Sequence, residues 1–230
     1  MTSPPDARVY PRVLCLAPPA YGSSPGAAGA ALPAALDALA RALDSQGIRQ
    51  VIVAERPAGK PALERVGSAA TVRRLGVPLG TGQVFAVAAA ATLPAMGRTA
   101  DILHLYHRAG VATLPLALAT ATAWDIPLVV TLEQSHLEPH DDAGRGLARL
   151  RTRLGRPLER LTLARAAAVI VPERAAAEVL AAHGVSAGRI HVIAPDTPGD
   201  VAARQVLDIY RAVWARQLAR RVAIWHPTTS

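Results

Sequence analysis

The sequence predicts an α/β protein with one doubly wound, mostly parallel sheet, helices on both faces and a long C-terminal helix. Short apolar runs alternate along the chain with longer helical segments, which is the pattern of βαβ units. The 230 residues are 51% hydrophobic, enough to bury one sizeable core. A proline-containing linker at 195–199 then leads into a single terminal helical segment.

The first strand and helix are joined by a glycine-rich loop. The strand, at 13–17, is a short apolar run that ends at two prolines. In the helix predicted at 27–46, leucines recur at spacings of four, three and four, which places them on one face. Gly47 ends this helix. The loop between strand and helix contains Gly26 and Gly29.

The remaining strands are predicted from runs rich in Val, Ile and Leu, and the remaining helices from longer segments rich in Ala, Leu or Arg. The strands lie at 51–54, 70–75, 101–105, 127–132, 168–171 and 190–193. The helices lie at 83–96, 111–124, 144–165, 174–183 and 201–224. Segment 57–67, rich in proline and glycine, is predicted to be a loop. This alternation predicts a single Rossmann-like sheet.

Composition narrows the possible partners and the compartment. The net charge is +8, and Lys60 is the only lysine among 25 basic residues. Such a balance favours anionic partners, but an aromatic content of 3% argues against base stacking and hence against nucleic-acid binding. Cys15, in the first strand, is expected to be a buried, inert thiol. No segment has the pattern of a signal peptide or a membrane span, so a cytoplasmic protein is expected.

Taken alone, the glycine-rich loop leaves two interpretations open. The dinucleotide fingerprint G-x-G-x-x-G lacks its first half here, although Glu55 ends the second strand where a ribose-binding acid would lie. An NAD(P)-binding oxidoreductase is therefore one hypothesis. The other is a plain strand-to-helix loop that needs small residues for close packing. A P-loop is excluded, because no Gly-Lys-Ser/Thr follows.

Several motifs follow one another between about residues 12 and 200. They read PGAAG at 25–29, LDALARALDSQGI at 36–48, DILH at 101–104, DIPLVVTLEQ at 125–134, ERLTLARAAAVIVPE at 159–173 and GVSAGRIHVIAPDTPGD at 184–200. In this order they resemble the N-terminal domain of family-4-like glycosyltransferases of the GT-B fold. The resemblance implies transfer of a sugar from a nucleotide-sugar to an acceptor hydroxyl.

The resemblance also implies site residues. Gly26 and Gly29 would let the backbone approach the donor diphosphate or the acceptor in the cleft. Glu133 stands in the loop after Thr131 where the family has a histidine, and a carboxylate there would repel phosphate unless it acted as a base. No cofactor is implied beyond the nucleotide-sugar as co-substrate. No metal is expected, because the histidines and aspartates at 136–142 do not match a zinc pattern.

The resemblance predicts different roles for residues 1–200 and for residues 201–230. By resemblance, residues 1–200 form the acceptor-side domain, and 201–230 form a helix that packs back on it, since VLDIYRAVWARQL at 206–218 is similar to the family's final helix. The family's donor-binding domain has no counterpart here. The chain is therefore expected to work with a separate donor-binding chain, or to be a non-catalytic binding or regulatory relic. A homodimer is also expected, through Ile209, Val213 and Leu218.

The segment from Arg145 to Arg165 is strongly basic. It has seven arginines and one acid, Glu159. Five leucines form a stripe at spacings of three and four: Leu147, Leu150, Leu154, Leu158 and Leu161. One interpretation is a cationic face that contacts an anionic membrane at its inner surface. The other is an ordinary surface helix whose leucines face the core and whose arginines are solvated.

Overall fold

The computed structural model describes residues 10–17, 34–56, 59–76, 82–108, 113–135, 137 and 147–225. The strands are β1 Val13–Leu16, β2 Gln50–Glu55, β3 Leu63–Val66, β4 Ala70–Leu75, β5 Ile102–Arg108, β6 Leu128–Gln134, β7 Ala168–Val171 and β8 Ile190–Val192. The helices are α1 Ala34–Ser45, α2 Gly82–Gly97, α3 Thr113–Ala123, α4 Leu147–Arg165, α5 Arg174–Ala182 and α6 Gly199–Trp225. A short 3₁₀ turn at Ala187–Arg189 precedes β8.

These strands form one sheet in the order β3-β4-β2-β1-β5-β6-β7-β8. Every neighbouring pair is parallel except β3 with β4. Helices α1 and α6 pack on one face, and their apolar side chains join those of alternate strand residues in one core cluster. Helices α2 to α5 cover the other face and form a second cluster. The predicted α/β class, with a mostly parallel sheet covered on both faces, is confirmed.

The edge strand β3 lies inside the segment that was predicted to be a loop, so that prediction was wrong. Its sequence, LERV, has no apolar run, and only Val66 of its four residues is buried. Its pairing with β4 is antiparallel. The Asp44 carboxylate of α1 holds the connecting turn, because it accepts backbone N–H groups of Ser68 at 2.9 Å and of Ala70 at 2.9 Å. These bonds lower the Asp44 pKa.

The buried face of α4 differs from the predicted leucine stripe. Over the part whose side chains are described, Gly155, Glu159 and Leu163 are buried at spacings of four, together with Thr162. Leu161, a member of the predicted stripe, is 42% exposed. An acid therefore occupies a core-facing position of a helix whose exposed side carries arginines.

The terminal helix α6 packs on α1 and on the sheet. Ile209 and Val213, which motivated the expectation of self-association, are buried in the core of the domain, whereas Leu218 is 41% exposed. Further along, the Gln217 amide donates to the backbone carbonyl of Asp125 at 2.7 Å. Among the described residues, no helix combines the length and the apolar character needed to cross a membrane.

Candidate functional site

Ligands of open α/β sheets bind beyond the carboxyl ends of the strands, where the direction of winding changes. Here the change lies between β1 and β5, because the chain proceeds from β1 to β2 and β4 on one side and then crosses to β5 on the other. The segment that follows β1 in the sequence carries Gly26 and Gly29. Both glycines lie outside the described residues, and their role stays a prediction.

Glu133 lies at this carboxyl edge. It belongs to β6 and not to a loop, which corrects the expectation from the sequence, and its side chain is exposed. His107 of β5 pairs with Leu132 and Arg108 pairs with Gln134, so the register shift leaves Glu133 without a counterpart in β5. Burial, followed by the nearby Cys15 and Glu133, raises the pKa of the Tyr106 hydroxyl well above its usual value. An exposed carboxyl group thus lies near a neutral phenol.

A small depression adjoins Glu133 between the ends of β6 and β7 and helix α5. Glu133 and Ser135 supply its polar side. Its other walls are apolar and consist of Leu132, Pro172, Ala176, Val179 and Leu180. The depression has room for little more than a water molecule. The depression is therefore too small to hold an organic ligand.

A buried polar network connects this region to the terminal helix. His104 of β5 is fully buried, its Nδ1 lies 2.6 Å from the Tyr210 hydroxyl of α6, and its Nε2 lies 2.8 Å from the Thr131 hydroxyl of β6. Burial lowers the His104 pKa to about 3, so the ring is neutral near pH 7 and one of its nitrogens donates while the other accepts. The His104 ring also stacks on Tyr106, with centroids 4.3 Å apart.

A second buried cluster lies on the opposite face of the same strands. It consists of His107 of β5, Ser135 directly after β6, and Glu159 of α4. The Ser135 hydroxyl donates to Oε1 of Glu159, and His107 Nε2 lies 3.6 Å from Oε2 of the same carboxylate. The register of β5 against β6 shifts between His107 and Arg108, which marks a bulge at this edge.

The sequence comparison decides the family. Residues 30–196 match the model of the family described as glycosyl transferase 4-like domain. The chain belongs to this family. No curated protein sequence matches the chain significantly.

Solved structures share the fold of this glycosyl transferase 4-like domain at low sequence identity. One sucrose-phosphate synthase structure from Thermosynechococcus elongatus superposes with a TM-score of 0.61 at 17% identity, and the alignment covers 89% of this chain and 99% of that one. A second sucrose-phosphate synthase structure from the same organism gives a TM-score of 0.57 at 15% identity, and the alignment covers 80% of this chain and 48% of that one. A UDP-N-acetylglucosamine 2-epimerase from Methanocaldococcus jannaschii gives 0.50 at 14% identity, with 79% and 45% covered.

The aligned fractions show how much of each similar protein this chain corresponds to. The glycosyl transferase 4-like domain spans about half the length of the second synthase chain and of the epimerase. It spans nearly all of the first synthase chain.

Among the described residues, two acids singled out from the sequence lie at the carboxyl edge of the sheet, Glu133 in β6 and Glu55 in β2. Glu55 ends β2 on the other side of β1, and burial raises its pKa. In the basic segment, Arg156, Arg160 and Arg165 are exposed, and Arg145 lies outside the described residues.

Sequence reasoning missed the partners of two residues that it had quoted. His104 appeared only as the end of the DILH motif, and Glu159 only as the single acid in a basic helix. The tyrosine that bonds His104 lies 106 residues away in the chain, and the serine that bonds Glu159 lies 24 residues away. A local signal existed for Glu159 alone, because it falls four residues after Gly155 and four before Leu163 on one helix face.

Proposed function

We propose that this glycosyl transferase 4-like domain supplies the acceptor side of a sugar transfer from a nucleotide-sugar to an acceptor hydroxyl. The observation that carries the proposal is the family match over residues 30–196, together with an exposed carboxyl group, Glu133, at the carboxyl edge of the sheet. Open α/β sheets bind their ligands at the carboxyl edge, which supports this role for Glu133.

In the proposed reaction, Glu133 acts as the general base. The acceptor hydroxyl gives its proton to the Glu133 carboxylate while its oxygen forms a bond to the anomeric carbon of the sugar. The bond from that carbon to the diphosphate breaks, and the nucleoside diphosphate leaves with the electron pair. A positioned base contributes on the order of 10²- to 10⁴-fold to such a step.

The donor is proposed to be held by a separate chain. Residues 30–196 match the family model, and the donor is proposed to be held by residues outside this range, which the assay with a second chain tests. The alternative is a non-catalytic binding or regulatory module, which is favoured by the replacement of the family's histidine with Glu133. Transfer activity distinguishes the two.

The test is a variant at Glu133 in a transfer assay. The purified protein is mixed with each donor-type glycosyltransferase chain encoded near it, and release of nucleoside diphosphate is measured with UDP- and GDP-sugars. Glu133→Gln keeps the shape and removes the base, so kcat is expected to fall by about 10² or more. The matched control is Glu173→Gln, an exposed acid after β7 whose side chain makes no cap hydrogen bond. Equal kcat for wild type and Glu133→Gln would remove Glu133 from the mechanism.

We also propose a cytoplasmic location with peripheral contact of α4 with anionic membranes. The exposed Arg156, Arg160 and Arg165 support it, because clustered cationic side chains are attracted to anionic lipid surfaces. Co-sedimentation with vesicles that contain phosphatidylserine is expected, and equal co-sedimentation with neutral vesicles would contradict the proposal.

A further inference from the structure

The cluster of His107, Ser135 and Glu159 contains three polar side chains that are almost completely removed from solvent. Their exposures are 0%, 4% and 0%. A buried carboxylate is costly unless it is paired and hydrogen-bonded. Since an apolar residue would fill the same position of α4 without this cost, Glu159 calls for an explanation beyond helix packing.

The arrangement does not fit a serine nucleophile. In a nucleophilic triad, the histidine lies between the serine and the acid and takes the serine proton. Here the carboxylate lies between the other two groups: the Ser135 hydroxyl donates to Oε1, and His107 faces Oε2. The serine hydroxyl is therefore oriented by its bond to the carboxylate and is not activated by the imidazole.

The cluster holds the backbone just beyond β6 in place. The Ser135 hydroxyl accepts the backbone N–H of Leu137 at 3.0 Å while it donates to Glu159. Leu137 in turn packs against the core on the same face of the sheet as α4. One hydroxyl thus ties the chain after β6 to α4, and the Glu159 carboxylate extends the connection to His107 of β5.

This segment directly follows the candidate base. Glu133 precedes Ser135 by two residues, and both border the same depression. Because β6 ends at Gln134, the sheet no longer fixes the backbone beyond that point. Within β6, the register shift leaves Glu133 without a counterpart in β5, so its backbone is held by Leu132 and Gln134 on either side and by Ser135 just beyond them.

We propose that Ser135, Glu159 and His107 form a buried clamp that positions Glu133 and the backbone at Leu137, which makes them positioning residues for sugar transfer. The inference rests on the proposed function as far as the transfer step is concerned. The clamp itself is a property of the folded chain and is testable without any substrate.

The first measurement is hydrogen exchange of the Leu137 amide in the purified full chain. Ser135→Ala removes its acceptor, so exchange is expected to become about five- to tenfold faster, the factor that corresponds to one ordinary hydrogen bond. Glu159→Gln keeps the shape of the side chain but weakens the bond to the serine, so the same change is expected at smaller size. This second variant keeps the proposal testable should Ser135→Ala not fold.

The matched control is Thr162→Val. Thr162 is also buried, lies on α4 one turn after Glu159, and donates its hydroxyl to the Leu158 carbonyl within the helix at 2.8 Å. The substitution removes a buried hydroxyl of α4 without touching the chain after β6. Exchange at Leu137 is expected to stay at the wild-type rate.

The second measurement separates positioning from stability. In a mixture that shows transfer, Ser135→Ala is expected to lower kcat about tenfold while KM for the nucleotide-sugar stays the same, because the base is misplaced and donor binding is not. Thr162→Val is expected to change neither.

The outcomes are distinguishable. Unchanged exchange at Leu137 in Ser135→Ala overturns the clamp, whatever the transfer assay shows. Faster exchange spread evenly over β5, β6 and α4, or unchanged kcat, overturns the positioning role. If no mixture with the wild type transfers sugar while Leu137 responds, the proposed function and the role in transfer fail, and the clamp stands as a structural feature.

Discussion

Replacing Tyr210 with phenylalanine tests how the terminal helix is fastened to the sheet. The substitution removes only the hydroxyl that lies 2.6 Å from His104 Nδ1, and it keeps the edge-on ring contact, with centroids 5.6 Å apart. Both side chains are fully buried, so no water replaces the lost partner. A buried polar group left without its hydrogen bond costs about 1–3 kcal/mol. For a chain of 230 residues, a loss of about 2 kcal/mol lowers Tm by roughly 4–8 °C.

The assay is urea denaturation followed by circular dichroism, in a cycle with Thr131→Val. Thr131 bonds the other nitrogen of the same ring, so the two substitutions act on one network. Their effects are expected to deviate from additivity by at least about 0.5 kcal/mol. A Tyr210→Phe protein as stable as the wild type, or strictly additive effects, would refute the view that His104 joins α6 to the sheet.

Two further perturbations test the fold. Because burial lowers the His104 pKa from 6.5 to about 3, the unfolded chain takes up a proton between these values that the folded chain does not. The free energy of unfolding therefore decreases as pH falls from about 6.5 towards about 3, by up to about 1.4 kcal/mol per pH unit. In denaturation curves measured across this range, His104→Gln should make the free energy of unfolding depend less on pH. The same pH dependence in the variant would contradict the assignment of this loss to His104. Gly67→Ala should destabilise the fold by about 1–3 kcal/mol, because Gly67 has φ 80° and an added methyl group would collide with the Asp44 carboxylate. Gly184→Ala, at φ 89° in open space, is the control and should cost less by thermal melting.

Elements with a continuous apolar run could be predicted from the sequence almost residue by residue. β7 is an example, because its four residues are all buried and the run AVIV is visible directly. β3 was not predictable in this way. It is an edge strand in a segment rich in proline and glycine, and its pairing with β4 depends on a turn held by Asp44, 24 residues earlier in the chain.

The same difference between local sequence signals and tertiary contacts applies to the candidate site. The place of Glu133 near the end of a strand could be predicted to within a residue or two, because it stands within a motif whose order along the chain is recognisable. The partners of Glu159 and His104 could not be found, because tertiary packing brings them together from distant segments. Glu159 is the single acid among seven arginines, and this composition alone indicates a solvated surface. Its spacing along the helix face is the feature that indicates burial.

The central claim, that this chain is the acceptor side of a sugar transfer, is tested most directly by following radiolabelled sugar from nucleotide-sugar into product. Three samples are compared: this chain alone, a donor-type chain encoded near it alone, and the two together. Product is expected only in the combined sample, and it is expected to be lost when this chain carries Glu133→Gln. Product formed at the same rate by the donor-type chain alone, or no product in any combination, would contradict it.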